Sequence, residues 1–272
     1  MQTPFVDIHC HLLPAVDDGP RDVAGALAMA QMAVADGTTT LVVTPHQLGS
    51  YSGRNRADDV RRRTADLQSE LRAAGIPLTL LPGGDVRIEQ DLPQRIAMGD
   101  ALTLGDQGRH LLLELPHELY LPLEELLATL QRHGITGILS HPERNAGLLA
   151  RPEIAARLVD AGCLMQVTAG SFTGAFGPQS QALAERMVGA GLVHFVASDG
   201  HGVESRRPRL SRAFDRVAEL AGEPAAVDLC CRFPASVAAG QPGPGGRRPT
   251  PAARRTSRSS GWRRFFTRTE AA

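Results

Sequence analysis

Lysine is missing from this 272-residue chain, so all 29 of its basic side chains are arginines. Its absence excludes a Schiff-base lysine, the lysine of a phosphate-binding P-loop and a carbamylated lysine that bridges two metal ions. Long apolar runs are missing as well, and none approaches the roughly 20 residues that span a bilayer. The 29 acidic residues balance the charge, which argues against a non-specific nucleic-acid binder. We therefore expect a protein that is not integral to a membrane and that uses no lysine chemistry.

Cysteine is scarce, and the four cysteines show no spacing with a known chemical use. Cys10, Cys163, Cys230 and Cys231 lack the paired spacing of a zinc knuckle, and no arginine follows any of them by six positions, as a thiol-dependent phosphatase loop requires. Nucleophilic cysteine catalysis is therefore not expected. Because the N-terminus does not resemble a secretory signal, we expect a cytoplasmic protein whose thiols stay reduced.

Short apolar runs alternate with amphipathic stretches over most of the chain. Strands are predicted at 5–8, 41–44, 78–81, 111–115, 137–140, 164–168 and 194–197. Helices are predicted at 23–35, 57–73, 123–133, 154–161 and 179–190. Glycines that suit a helix C-cap follow these helices at Gly37, Gly75, Gly134, Gly162 and Gly191. This alternation is typical of a parallel α/β barrel or a doubly wound sheet.

A change in composition predicts one α/β domain over residues 1–240 and a disordered tail over 241–272. The tail is rich in Gly, Pro, Ser, Thr and Arg and cannot bury enough apolar surface to fold alone. Aromatic residues lie beside arginines near its end, at 262–268, so at most a peripheral contact with an anionic membrane surface or an acidic partner is expected. A solvated tail without a fixed role is the alternative.

Side chains that bind metals follow the predicted strand ends. His9 and His11 are two positions apart on an extended chain, so their imidazoles point to the same side. Comparable side chains follow further strands: His46, Asp85, Glu114, His141, Asp199 and His201. Because the C-terminal ends of parallel barrel strands meet on one face, we expect these residues to form one cluster. Imidazoles and carboxylates without thiolates favour Zn, Mn or Fe in a catalytic site over a structural zinc site.

The other histidines and two arginines are interpreted separately. Four histidines are expected to be structural, because they lie at helix ends or element edges: His110, His117, His133 and His194. Arg144 and Arg207 follow strand ends, where a guanidinium group can bind a phosphate through two hydrogen bonds. Both arginines are therefore candidate phosphate ligands, with an ordinary surface position as the alternative.

Six motifs together resemble the polymerase-and-histidinol-phosphatase (PHP) superfamily, from about residue 5 to 240. They are Asp7-Ile-His-Cys-His-Leu-Leu-Pro, Val16-Asp-Asp-Gly-Pro, Thr44-Pro-His, Ser140-His-Pro-Glu-Arg, Thr168-Ala-Gly-Ser and Ala197-Ser-Asp-Gly-His. More narrowly, the pattern is similar to manganese-dependent tyrosine-protein phosphatases of bacterial capsule and exopolysaccharide gene clusters. This resemblance implies a distorted seven-stranded parallel (β/α)7 barrel.

The resemblance also implies a site for two or three Mn²⁺ ions, or for Fe, Zn or Co in their place. One ion would bind His9, His11, Asp199 and a shared Asp85. A second would bind Asp85, Glu114 and His141. A third would bind Asp18, His46 and His201. Arg144 and Arg207 would bind phosphate oxygens, and Asp199 or His201 would assist departure of the tyrosyl group.

The implied activity is hydrolysis of phosphotyrosine in the autophosphorylated, tyrosine-rich tail of a capsule-assembly kinase. A small-molecule phosphatase, for histidinol phosphate or a sugar phosphate, stays open because the metal site is common to the superfamily. A nuclease is disfavoured, since the region lacks a basic groove studded with aromatic residues, and a lysine-bridged amidohydrolase is excluded. The sequence leaves the oligomeric state open.

Two positions depart from the family pattern. Asp85 stands where glutamate is usual, and Gln47 stands where a second histidine is frequent. The aspartate side chain is shorter by one carbon–carbon bond, roughly 1.5 Å, which predicts a weaker or rearranged shared metal site. A catalytically disabled protein that only binds phosphotyrosine is therefore a further alternative.

Overall fold

The computed structural model describes residues 3–248, and every strand pair in this range is parallel. The strands are β1 (Phe5–Cys10), β2 (Thr38–Val43), β3 (His46–Gln47), β4 (Thr79–Pro82), β5 (Asp85–Arg87), β6 (His110–Glu114), β7 (Thr136–Ser140), β8 (Leu164–Thr168) and β9 (Phe195–Ala197). They form a three-stranded sheet in the order β1-β2-β4 and a six-stranded sheet in the order β3-β5-β6-β7-β8-β9. The α/β class with parallel sheets is as predicted.

Two short strands that were not predicted, β3 and β5, follow the predicted strands 41–44 and 78–81, which gives nine strands in the described range. Residues 44 and 45 separate β2 from β3, and residues 83 and 84 separate β4 from β5. Pro45 has no N–H to donate to a neighbouring strand. A Cβ atom at Gly84 would lie 2.0 Å from Oε1 of Gln47, so only glycine fits there. The hydrogen bonding is divided between two sheets, so the pairing within residues 3–248 does not show the distorted seven-stranded barrel, and that barrel stays a prediction.

Helices α1 to α7 lie between strands in the chain, and α8 to α10 follow the last strand. They are α1 (Val23–Ala35), α2 (Ala57–Ala73), α3 (Leu92–Ala97), α4 (Glu124–Arg132), α5 (Ala146–Ala150), α6 (Glu153–Asp160), α7 (Pro178–Gly189), α8 (Ser211–Ala221), α9 (Glu223–Val227) and α10 (Phe233–Ala238). The bounds of α1 and α2 are as predicted, and those of α4, α6 and α7 differ by one residue at each end. Helix α8 was not predicted. Its N-terminus is capped by Asp36, whose Oδ2 accepts hydrogen bonds from the backbone N–H groups of Leu210 (2.6 Å) and Ser211 (2.9 Å).

The strands are apolar on both faces, because each face packs against a different apolar cluster. Leu111 and Leu113 of β6 belong to the largest cluster, together with buried residues of α4, α6, α7 and α8. Leu112, between them, belongs to a second cluster with Phe195 and with Val237 of α10. Burial on both faces is the usual environment of parallel strands. Apolar strand interiors thus leave the strand ends as the place for polar side chains.

The first strand, β1, and the last strand, β9, belong to different sheets, but their C-terminal ends lie close together. Cys10 forms an isolated parallel bridge with Gly200. The backbone N–H of Asp199 donates to the carbonyl of His9 (2.8 Å), and that of His11 donates to the carbonyl of Gly200 (2.8 Å). These bonds hold the end of β1 beside the segment that follows β9.

Residues 241–248 contact the folded domain at the edge opposite the strand C-termini. The carbonyl of Gly246 accepts a hydrogen bond from Nε2 of His194 (2.8 Å), and the N–H of Arg248 donates to the carbonyl of Gly191 (2.8 Å). The rest of the predicted tail, with its aromatic–arginine segment, lies outside the described residues, so the boundary at 240 stays a prediction. None of the described helices is long and apolar enough to cross a membrane.

Candidate metal centre

The C-terminal ends of the strands bring nine predicted metal-binding side chains to one edge of the sheets. They are His9, His11, Asp18, His46, Asp85, Glu114, His141, Asp199 and His201. Seven of them are buried, His46 is partly buried and Asp18 is exposed. Candidate ligand atoms of eight of them, all except His141, fall into three groups, and within each group all atoms lie within 4.8 Å of one another.

The first group contains the His-x-His pair of β1. The Nε2 atoms of His9 and His11 lie 3.2 Å apart. Oδ1 of Asp199 lies 3.3 Å from Nε2 of His9 and 3.6 Å from Nε2 of His11. Oδ2 of Asp85 is 3.7 Å from the same His9 nitrogen. Two imidazole nitrogens and carboxylate oxygens thus face one point, which is a donor set that suits Zn, Mn or Fe.

The second group is formed by His46, Asp85 and Glu114. Nδ1 of His46 lies 3.4 Å from Oδ2 of Asp85 and 3.6 Å from Oε2 of Glu114. His141, which the resemblance assigns to this group, is adjacent, with Nε2 at 4.0 Å from Oε1 of Glu114. His46 was assigned to the third group alone, and in the structure its ring faces both.

The third group contains His11, Asp18, His46 and His201. Oδ1 of Asp18 lies 3.2 Å from Nε2 of His201 and 3.5 Å from Nε2 of His46. The rings of His11 and His201 stack with centroids 3.8 Å apart. Because the side chain of Asp18 is 52% exposed, this group marks the open side of the cluster.

The buried polar atoms of the cluster suit positively charged ions. Neither carboxylate oxygen of Asp85 accepts a hydrogen bond from the described residues, although the side chain is fully buried. Nδ1 of His46 and Nε2 of His201 are likewise buried without a hydrogen-bond partner in residues 3–248. Burying a carboxylate without partners costs several kcal/mol. Atoms directed at a common point without partners are therefore what a cation-binding site requires.

The protonation states of two of the imidazoles, those of His11 and His141, favour metal binding. His46 differs, because burial opposes its protonation but the nearby carboxylates of Asp18 and Asp85 raise its pKa to about 11. Burial, and then the charge of His201, lower the pKa of His11 to about 4. Burial, and then the charge of Arg144, hold the pKa of His141 well below its usual value. Burial, and then the charge of Asp85, raise the pKa of Glu114 to about 7. His11 and His141 therefore present unprotonated nitrogens near neutral pH, and this is the form that binds metals.

The backbone is strained at two of the candidate ligands. His141 has φ of 34° and Asp199 has φ of 51°, both in the left-handed region that side chains rarely adopt. Such conformations cost of order 1–3 kcal/mol and occur preferentially at functional sites. The fold therefore holds these two side chains in orientations that a relaxed loop would not provide.

The chain matches, over residues 5–239, the family model described as "Capsular polysaccharide synthesis, CpsB/CapC". It belongs to the CpsB/CapC family. It is 40% identical over 205 residues to the tyrosine-protein phosphatase YwqE of Bacillus subtilis (strain 168), which covers 74% of this chain and 79% of that protein. It is 26% identical over 232 residues to the tyrosine-protein phosphatase CpsB of Streptococcus pneumoniae, covering 83% of this chain and 94% of that protein.

The solved structures agree with this family assignment. A crystal structure from a study of YwqE from Bacillus subtilis and CpsB from Streptococcus pneumoniae, described as unique metal-dependent tyrosine phosphatases, matches with a TM-score of 0.85 and 34% identity over 90% of this chain and 98% of that chain. Dihydropyrimidinase from Brevibacillus agri NCHU1002 matches with a TM-score of 0.53 and 11% identity over 90% of this chain and 73% of that chain. This second likeness concerns the fold alone.

Three side chains that orient the histidines of this CpsB/CapC-family chain were missed from the sequence. Oε1 of Gln166 lies 2.8 Å from Nδ1 of His9, and Oδ2 of Asp17 lies 2.7 Å from Nδ1 of His11. With Nδ1 donating, Nε2 of each ring is the free nitrogen that faces the cluster. Oδ1 of Asp7 accepts hydrogen bonds from the backbone N–H groups of His9 (3.2 Å) and Ser198 (3.0 Å), so it fixes the backbone on which His9 lies. The Asp-Asp pair in the second motif was the only local signal for Asp17.

The glutamate of the His-Pro-Glu-Arg motif is structural. Oε1 of Glu143, which is fully buried, accepts hydrogen bonds from Oγ of Ser171 (2.7 Å) and from the N–H of Thr168 (3.0 Å). It therefore ties the segment after β7 to the segment after β8. The motif thereby fixes the position of Arg144, whose side chain is 11% exposed.

Three arginines contact candidate ligands: Arg87, whose Nη1 lies 3.2 Å from Oε2 of Glu114, Arg144 and Arg206. Arg144 donates to Oδ2 of Asp199, and Arg206 donates to both carboxylate oxygens of Asp199 at 2.7 Å. The predicted Arg207 is exposed, and its Nε donates to the carbonyl of Val203 (2.8 Å). Arg206 has φ of 47°, a turn that directs two successive side chains to different sides. The structure therefore brings Arg206, and not Arg207, to the predicted metal ligand.

The positions of the remaining candidates differ. His110 and His194 lie at the opposite edge of the sheets, and His133 is exposed at the end of α4. The ring of His117 lies 5.3 Å from that of His141, so this histidine borders the site without belonging to any of the three groups. Gln47 donates to the carbonyl of Asn55 (2.8 Å) and accepts from the N–H of Leu102 (2.8 Å), so it supports the surrounding loops.

Proposed function

We propose that this chain is a metal-dependent protein-tyrosine phosphatase that acts in capsule or exopolysaccharide synthesis. The single observation that carries the metal dependence is the buried carboxylate of Asp85. Neither of its oxygens has a hydrogen-bond partner in the described range, and Oδ2 faces His9 and His46, which belong to two ligand groups. The names of YwqE and CpsB support phosphotyrosine as the substrate.

The proposed fold is a distorted seven-stranded barrel. Counting β2 with β3 and β4 with β5 as single interrupted strands gives seven. The bridge between Cys10 and Gly200 supports an approach of the first and last strands. Ligands from six strand ends would then surround one mouth.

The proposed cofactor is Mn²⁺, with two or three ions, and Fe, Zn or Co as alternatives. The donor set of imidazoles and carboxylates supports this choice. His9, His11, Asp85 and Asp199 would hold one ion. Asp85, Glu114, His46 and His141 would hold a second. Asp18, His11, His46 and His201 would hold a third. Such ions make water more acidic and neutralise the charge of phosphoryl oxygens.

The arginines would bind the phosphoryl group. Arg144 lies at Asp199 with its guanidinium group stacked 4.3 Å from the centre of the Phe176 ring. A planar guanidinium in this position can donate two hydrogen bonds to phosphoryl oxygens. Arg206 at the same carboxylate supports a second contact, and Arg207 remains the alternative that the family resemblance implies. Together they would hold the phosphorus in line with the attacking water.

The tyrosyl leaving group needs little assistance from the protein. A tyrosyl oxygen has a pKa of about 10, so it departs with limited protonation. His201 is the candidate proton donor of a site that holds two ions, because its Nδ1 is fixed by the carbonyl of Asp199 (2.9 Å) and its Nε2, which would bind the third ion where that ion is present, faces the open side at Asp18.

Aromatic side chains flank the open side and favour an aryl phosphate. The ring of Tyr51 lies 5.4 Å from that of His46, and Phe176 lies beneath Arg144 on another side. Both side chains are partly exposed. A tyrosyl ring of the substrate can stack against such surfaces. The proposed partner is the phosphorylated tyrosine-rich tail of a capsule-assembly kinase in the cytoplasm.

The deciding experiment measures phosphate release from a phosphotyrosine peptide with Mn²⁺, after chelation, and from a phosphoserine peptide and histidinol phosphate. We expect Mn²⁺-dependent turnover that favours phosphotyrosine. His141→Ala is expected to abolish it without unfolding the protein, whereas the exposed His133→Ala serves as the matched control. Preference for histidinol phosphate would indicate a small-molecule phosphatase. Tight binding of the phosphotyrosine peptide without turnover would indicate a catalytically disabled site.

A further inference from the structure

A basic cavity of ≈ 450 Å³ adjoins the candidate metal centre. Four arginines contribute to its lining: Arg206, Arg207, Arg209 and Arg212. Glu204 is the one carboxylate among the lining residues, and Phe176 contributes an aromatic ring. Positive charge concentrated in a concave surface attracts anionic groups.

Three of the four arginines of this cavity are not paired with a carboxylate in the described residues. Within residues 3–248, Arg207, Arg209 and Arg212 form no ion pair with a carboxylate, and all three are exposed. Arg212 lies in the first turn of α8, where a cation opposes the helix dipole. Nε of Arg206 is a buried donor without an acceptor in the described part of the chain. Ion pairs within the fold therefore do not account for Arg209 and Arg212, and they account for only part of the donor capacity of Arg206.

Two residues connect the cavity to the metal centre. Arg206 lines the cavity and also donates to both oxygens of Asp199 at 2.7 Å. Phe176 lines the cavity and also stacks with Arg144. A peptide with its phosphotyrosine at the metal centre can thus place a neighbouring residue in the cavity.

We propose that this cavity binds a second anionic group of the same phosphopeptide, held by Arg209 and Arg212. The group is a carboxylate or a second phosphoryl group near the phosphotyrosine. This inference rests on the proposed function, because it assumes a phosphotyrosine peptide at the metal centre. It adds a source of substrate selectivity that lies outside the metal-binding residues.

The test compares kcat/KM for three Mn²⁺-supported peptide substrates. One peptide carries a single phosphotyrosine with neutral neighbours, one carries glutamates on both sides, and one carries a second phosphotyrosine. Exposed ion pairs contribute about 0.2–1 kcal/mol each, so two arginines predict a preference of roughly twofold to thirtyfold for the anionic peptides. The preference is expected to fall at 1 M salt, where the Debye length is about 3 Å.

Variants assign the preference to this cavity. Arg209→Ala/Arg212→Ala is expected to remove the preference for anionic peptides, and Glu204→Gln is expected to increase it. The matched control, Arg63→Ala/Arg72→Ala, removes two charges from α2, outside the cavity lining, and should keep the preference.

Each result has a distinct meaning. The inference is overturned by an unchanged preference in the Arg209→Ala/Arg212→Ala variant, or by equal kcat/KM for the three peptides in the unaltered protein. In either case, turnover of the neutral peptide still supports the proposed function. No turnover of any peptide contradicts the proposed function itself. Comparison of the glutamate and double-phosphotyrosine peptides identifies the anion that the cavity prefers.

Discussion

Asp17 accepts a hydrogen bond from Nδ1 of His11 at 2.7 Å and another from the backbone N–H of His46 at 3.1 Å. One carboxylate therefore positions two candidate ligands without belonging to any of the three groups. Burial opposes its ionisation, but the hydrogen bond and charge of His11 lower the pKa of Asp17 below its usual value.

Asp17→Asn should lower Mn²⁺ affinity or activity by roughly 10- to 100-fold, because the ring of His11 loses the anion that fixes its orientation. Calorimetric titration with Mn²⁺ and the rate of phosphate release measure the two effects. Asp66→Asn, at an exposed position of α2, is the control. An affinity and a rate equal to those of the control would show that Asp17 has no such role.

Asp85→Glu should raise the affinity for Mn²⁺. The Asp85 carboxylate lies 3.7 Å from His9 and 3.4 Å from His46, between two ligand groups, and glutamate extends the reach by roughly 1.5 Å. Asp85→Asn keeps the size and removes the charge, so it should bind Mn²⁺ at least about tenfold more weakly. The measurement is activity as a function of free Mn²⁺. Equal Mn²⁺ dependence in the two variants would contradict a bridging carboxylate.

Mn²⁺ should raise the melting temperature of the protein. Ligand at 100 times its Kd stabilises a folded protein by about 2.7 kcal/mol, which corresponds to a rise of roughly 5–10 °C for a chain of this size. Thermal unfolding followed by circular dichroism after chelation, and again with added Mn²⁺, measures this shift. His9→Ala should reduce the shift, whereas His133→Ala should retain it. A melting temperature that is indifferent to Mn²⁺ would exclude binding by the folded cluster.

The polar residues at the strand ends were predictable because the spacing of apolar side chains along strands and helices follows simple periods. Apolar strands and amphipathic helices alternate, and six of the seven predicted strand ends carry a His, Asp or Glu, so a parallel fold brings these residues together. His9 and His11 face one point for this reason, as their spacing indicates. Local patterns determine such features.

The contacts that depend on tertiary structure were not predictable. Arg206 and Arg207 are adjacent and chemically identical, and the left-handed backbone at Arg206 decides which one reaches Asp199. Gln166 orients His9 across 157 positions of sequence, and Asp36 caps α8 across 174. No local pattern indicates partners so distant in the chain. The division of the sheets likewise depends on close packing around Gly84.

Acid should destabilise the protein partly through His110, which lies far from the metal centre. This side chain is 3% exposed, and its Nδ1 has no hydrogen-bond partner among the described residues. Burial, and then the charge of Arg109, lower the pKa of His110 from 6.5 to about 4. Between these two values the unfolded chain binds a proton that the folded chain does not. The contribution of neutral His110 to stability is therefore complete above about pH 6.5 and is lost as the pH falls towards 4.

His110→Gln removes this titration. Between pH 7 and pH 4.5, the free energy of unfolding of the unaltered protein should fall by roughly 1–3 kcal/mol more than that of the variant. Urea denaturation of chelated protein at both pH values measures the difference and avoids the effect of pH on metal binding. His133→Gln, at an exposed histidine, should follow the unaltered protein. If the His110→Gln variant loses as much stability as the unaltered protein, the folded chain accommodates a charged His110, and the buried edge beneath the sheets is more accessible to water than its packing indicates.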